Sequence, residues 1–129
     1  MIRIACLIDT WVWIEHYEGR SQQAREFIEG NEILCVSAVT IAEIAQRYAK
    51  EGKPVVVARI NDVLRRATVI PVDTTIATMA GMVRNQEIYG GIADAIILAT
   101  ARIGNHTIIT GDQHFRDLPG VVFIGHTGE

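Results

Sequence analysis

The chain reads as an α/β fold, with a central parallel sheet of about five strands and helices on both faces. Three observations carry this. Five short β-prone apolar runs, at residues 2–8, 33–36, 68–72, 107–110 and 121–124, are mostly separated by longer stretches with helical spacing. The runs are almost continuously apolar, as in strands covered on both faces, and lack the alternation of a half-solvated sheet. Strands that alternate with helices imply right-handed crossovers, which make neighbouring strands parallel.

The elements follow in order. The first run, IRIACLI, ends at Asp9 and is followed by WVWIEHY, a short helix. SQQAREFIEG opens on a capping serine, Ser21, and closes at Gly30. In SAVTIAEIAQRYAKEG, Ile41, Ile44, Ala45 and Tyr48 recur at helical spacing, and Gly52 is the stop. Residues 54–66 begin ambiguously with PVVV, but Pro54 suits a first helical turn, and Ile60 and Leu64 are spaced for a helix. DTTIATMAGMVRNQ follows a good cap at Asp73. ADAIILATARIGN is apolar nearly all round and ends at Gly104, so a buried central helix is expected.

All 129 residues fit one domain, 1–129, and 49% hydrophobic against 21% charged residues supports a real core. Cys6 and Cys35 lie in apolar runs and read as buried thiols, with no CxxC spacing for zinc or redox chemistry. The five apolar residues of IACLI are too few for a signal-peptide core, and no run approaches the ~18 needed to span a bilayer. The expectation is a cytoplasmic protein away from membranes. A net charge of −3 argues against a broad basic nucleic-acid-binding face. It leaves room for a site that grips phosphates through metal ions.

Four acids stand where a parallel sheet gathers its chemistry, at the carboxyl ends of strands. Asp9 ends the first strand; it can cap the next helix or belong to a site, and Thr10 can bond to it or share the capping. Asp112 follows TIIT through Gly111, in a turn that by itself explains an Asp. Glu43 and Asp94 lie near helix starts, where the helix dipole favours carboxylates without any function. Glu43 falls opposite the Ile41/Ile44/Tyr48 stripe, where a solvated glutamate is ordinary. Asp94 opens a helix with almost no polar face, so it is partly enclosed and needs a partner or a metal. Converging, the four would repel one another and raise their pKa values. A divalent cation relieves that repulsion, and all-oxygen ligation suits Mg²⁺ or Mn²⁺.

The segments LIDTWVWI, SAVTIAEI, IADAIILATA and TGDQHF resemble the four acidic motifs of the PIN-domain nucleases, in the right order, from about residue 4 to 124. They look most like the VapC-type toxin ribonucleases of toxin–antitoxin pairs. The resemblance puts Asp9, Glu43, Asp94 and Asp112 on that family's metal-binding catalytic acids and Thr10 on its small hydroxyl residue beside the first Asp. It implies a PIN-like three-layer sandwich, Mg²⁺- or Mn²⁺-dependent cleavage of RNA, a cognate antitoxin and a homodimer. Exposed apolar residues on the helices at 12–18 and 39–51 are the candidate partner surface. Two positions depart from the pattern. Trp11 replaces a small polar residue, and His114 stands where many relatives carry an acid, so His114 is not counted as a ligand.

Other readings fit less well. The third residue of the first motif is Trp11, where an aspartyl-phosphate transferase has a second Asp. Phosphate-cradling P-loop and GxGxxG patterns are absent. A catalytically silent PIN-like module binding RNA or protein is the main alternative. Four intact acids argue against it, because binding a polyanion does not call for a negative cluster.

Overall fold

The computed structural model describes residues 5–128, so residues 2–4 of the first expected strand lie outside the described residues. Five strands form one sheet: β1 (Cys6–Ile8), β2 (Leu34–Ser37), β3 (Thr68–Ile70), β4 (Thr107–Thr110) and β5 (Val121–Phe123). Every pairing is parallel, in the order β3-β2-β1-β4-β5. The chain steps outward from β1 through β2 to β3, then returns to the other side of β1 for β4 and β5. The order reverses between β1 and β4, and there a crevice opens at the strands' carboxyl ends.

Side-chain alternation along the strands builds the layers. Leu7, Cys35 and Ile108 point to one face and pack with α5 (Thr74–Val83) and α6 (Ile92–Gly104). Ile8, Leu34, Val36 and Ile109 point to the other. There they meet α1 (Thr10–Tyr17), α2 (Gln22–Glu29), α3 (Ala38–Tyr48) and α4 (Lys53–Arg66). The result is the expected three-layer sandwich; Cys35 is buried as expected, but Cys6 is only half-buried.

Local signals set the helix ends. Ser21 accepts from Ala24 N–H at 3.1 Å and Asp73 from Ile76 N–H at 2.8 Å, each satisfying a first-turn donor. Gly52, at φ 101°, ends the 3-10 turn that extends α3, a conformation costly for any side chain. Arg66 donates to the carbonyls of Ile28, Gly30 and Glu32, closing the carboxyl end of α2.

Several expectations need correction. β3 stops at Ile70 because Pro71 offers no N–H to a ladder. α5 ends at Val83, where the chain turns through left-handed Asn85 (φ 64°). α6 does end at Gly104 as expected, with left-handed Asn105 (φ 54°) as its cap. On α4 the inward stripe is Val56, Ile60 and Val63, leaving Leu64 53% exposed. The expected apolar surface on residues 12–18 and 39–51 is absent, since Val12, Trp13, Ile44 and Tyr48 are core. Among the described residues, the exposed large apolar side chains lie instead on α4 (Val57, Leu64), around α5 and α6 (Met82, Tyr89, Ile92, Ile103), before β2 (Ile33) and on β5 (Val122).

Candidate active site at the carboxyl rim of the sheet

Asp9 directly follows β1, and its N–H donates to Ile109 O at 3.0 Å, which locks it beside β4. It occupies the N-cap position of α1, yet its side chain caps nothing. The carboxylate instead accepts from Thr110 Oγ1 at 2.7 Å, at the end of β4. The residue is 2% exposed. Burial pushes its carboxyl up to about 7 against the pull of Thr110, and repulsion from Asp94, Asp112 and Glu43 adds to the rise. The four acids therefore do share one electrostatic neighbourhood.

Thr110 does a second job. Its Oγ1 accepts from the Asp112 N–H at 3.0 Å, so one buried hydroxyl ties the first acid to the last. Asp112 itself accepts from the His114 N–H at 2.9 Å, which starts the 3-10 turn Gln113–Phe115. Asp112 thus shapes the turn, and its carboxylate also lies against the His114 ring.

Glu43 is not free in solvent, as a purely surface residue of α3 would be. Thr10 Oγ1 lies 2.6 Å from Glu43 Oε1 and 2.9 Å from Thr40 Oγ1. A carboxylate only accepts and a hydroxyl has one proton, so Thr10 donates to Glu43 and accepts a hydrogen bond from the Thr40 hydroxyl. Of the two roles open to Thr10, this is neither: it orients Glu43.

Asp94 sits in the first turn of α6, its side chain mostly enclosed. Burial raises its carboxyl to about 6, repulsion from Asp112 adds to that, and His114 opposes it. Behind it is Gly90, where a Cβ would overlap Asp94 Oδ2 and press on the His114 ring. Only a hydrogen fits there.

The sequence reading set His114 aside, and the structure puts its ring inside the cluster. Nδ1 lies 2.8 Å from Asp112 Oδ1 and 3.3 Å from Asp94 Oδ2. Donor atoms of Asp94, Asp112 and His114 all fall within 4.8 Å of one another, close enough to share one cation. Asp9 and Glu43 flank this group without joining it. A histidine two residues after a turn Asp was the available signal; its direction depends on the 3-10 turn.

A cavity of about 460 Å³ adjoins the cluster through Asp112 and His114 and reaches Trp11, Phe123 and His126. A larger one, about 600 Å³, runs along α5 and includes none of the four acids. Trp13 belongs to the core and Trp11 does not.

Fold and site together define a parallel α/β domain with a carboxylate cluster at its topological switch point. The PIN domain family model matches residues 6–121, and the chain belongs to the PIN domain family. A chain of a toxin–antitoxin complex from Klebsiella pneumoniae is 30% identical, with a TM-score of 0.73 over 92% of this chain and 96% of that one. A chain of VapBC2 from Rickettsia felis, bound to a promoter DNA fragment, is 16% identical with a TM-score of 0.74, covering 95% and 99%. A chain of DNA-bound VapBC from Salmonella typhimurium is 20% identical with a TM-score of 0.72, covering 93% and 96%. The last two are likenesses of fold. No curated protein sequence matches the chain.

Proposed function

We propose that this chain is a metal-dependent endoribonuclease, the VapC-type toxin of a type II toxin–antitoxin pair, working as one domain over residues 1–129 in the cytoplasm. The observation that carries the reading is the burial of Asp9 amid three further carboxylates. Unpaired like charges are costly to hold together, and a divalent cation is the group that relieves the cost. The donor set fits one: carboxylate oxygens suit Mg²⁺ or Mn²⁺, and the 4.8 Å grouping of Asp94, Asp112 and His114 leaves room for it. Asp94 and Asp112, with His114 in reach, would hold the ion directly, and Asp9 and Glu43, which border this group, would complete its shell directly or through water. Once bound, it supplies a more acidic water and charge stabilisation at the scissile phosphate.

The chain's own residues prepare this chemistry. Thr110 holds Asp9 in place, and Thr10 holds Glu43 at the rim. With its carboxyl pushed up to about 7, Asp9 is part-protonated near neutral pH without a cation, and a bound cation would favour its ionised form. His114 Nδ1 lies between the Asp94 and Asp112 carboxylates and ties the two together.

Two protein partners belong to the same proposal: a second copy of the chain and an antitoxin. The exposed Val57 and Leu64 on α4, and Met82, Tyr89 and Ile92 around α5 and α6, are surfaces for them. Among the described residues no helix is long and apolar enough to cross a membrane. The test is incubation of the purified chain with RNA in Mg²⁺, Mn²⁺ or EDTA. Cleavage is expected with either metal, and undiminished cleavage in EDTA would sink the metal mechanism.

A further inference from the structure

We infer that the cavity beside the acidic cluster is a subsite for one nucleobase flanking the scissile phosphate, with the base lying against Trp11 and the adjoining backbone drawn by Arg116. This rests on the nuclease reading and adds a determinant of substrate position to it.

The cavity has the right size and neighbours. About 460 Å³ falls within the range of small-ligand pockets, ~300–1,000 Å³. Asp112 and His114 line both the cavity and the cluster, so a base held here places its own phosphate at the acids.

The wall is aromatic. Trp11 is half-buried where Trp13, two positions on, is fully in the core. Its six-membered ring packs against Gly111, where an added Cβ would come within 2.5 Å of the indole. The His126 ring stands 5.2 Å from Trp11, inclined at 40°, and Phe123 lines the same cavity. Base–aromatic stacking works for any base, because every base has a π-face.

Charge completes the argument. A cluster of four acids repels RNA, so a nuclease built on it needs a cation near the entry. Arg116 supplies one: its guanidinium sits 4.3 Å over the Phe123 ring, and its Nε donates to Gln113 Oε1 at 2.8 Å. Elsewhere Arg66 is committed to carbonyls and Arg59 to the rings of Tyr17 and Tyr48.

The experiment compares wild type with Trp11→Leu and Trp11→Tyr in the full chain, on single-stranded RNA with randomised positions, with thermal midpoints alongside. Loss of one stacking partner should raise KM roughly 5- to 150-fold with kcat nearly unchanged. Base preference beside the cut should flatten, and tyrosine should recover most of the affinity. An unchanged KM and preference in a folded Trp11→Leu chain overturns the inference. Tryptophan fluorescence of the Asp94→Asn chain, titrated with the same RNA in Mg²⁺, reads binding without cleavage. Quenching that vanishes when Trp11→Leu is added supports the subsite. Absence of quenching overturns it, whether or not wild type cleaves. If wild type cleaves no RNA but the quenching is seen, the nuclease reading fails and the subsite stands.

Discussion

Thr110 and Asp9 are joined by a 2.7 Å hydrogen bond across 101 positions of sequence, hydroxyl to carboxylate, with both groups buried. The bond is the strongest pull toward the ionised form that Asp9 has. It also fixes which way the carboxylate faces.

Thr110→Val keeps the side chain's shape and removes this donor together with the acceptor for the Asp112 N–H. Loss of a partner that orients a metal ligand typically costs 10–100-fold in metal affinity. Calorimetric titration with Mn²⁺ should show a drop of that order, and the activity profile should move to higher pH as Asp9 becomes harder to ionise. Thr110→Ser should restore both. Wild-type metal affinity in the valine variant would make Thr110 a packing residue.

Stability in the absence of metal should depend on pH with an unusual sign. The Asp9 carboxyl is pushed up to about 7 and that of Asp94 to about 6, from an ordinary 3.8. Between those values the folded chain holds protons that the unfolded chain has released, so stability is full below about pH 4 and is lost as pH rises through 6 and 7. At ~1.4 kcal/mol per pKa unit, the loss is on the order of a few kcal/mol. Thermal midpoints in EDTA should fall across this window, and Asp9→Asn should flatten the fall. A difference between wild type and Asp9→Asn that does not vary with pH contradicts the buried, crowded carboxyl.

Asp94→Asn separates site from scaffold. It keeps size and removes charge, costing at most ~0.3–1 kcal/mol of helix-dipole interaction while relieving repulsion from Asp112. Its melting temperature in EDTA should hold or rise while RNA cleavage collapses. Asp62→Asn and Asp117→Asn, outside the cluster, should stay active. Cleavage at the wild-type rate in Asp94→Asn, or loss of activity only through unfolding, removes Asp94 from the catalytic machinery.

Much of this was legible before the structure, and the reasons are physical. The central strands are covered on both faces and apolar, so CLI, LCV and TIIT announce themselves. Edge strand β5 reads just as apolar although Val122 is exposed. Ser21 and Asp73 mark helix starts through local chemistry. Acids at strand ends are visible because strand ends are. What stayed hidden depends on tertiary contact. Thr110 reads as a β-prone residue until β4 sets it beside Asp9. Gly90 reads as one of a glycine pair and His114 as a turn residue until α6 brings Asp94 against them. The rotation of α4 that exposes Leu64 is decided by Val56, Ile60 and Val63 together, and no single spacing reveals it.

The strand order carries a consequence for biosynthesis. Because β4 pairs with β1, the partner of Asp9 is synthesised after about five-sixths of the chain, and Asp112 after it. Contacts this distant in sequence close late in folding, and an emerging polypeptide cannot make them early. A ribosome midway through the message therefore displays Asp9 and Glu43 in a surrounding that lacks Asp94, Thr110 and Asp112. On the nuclease reading, the nascent polypeptide is harmless to the RNA that is making it, and becomes dangerous only as the last strands dock.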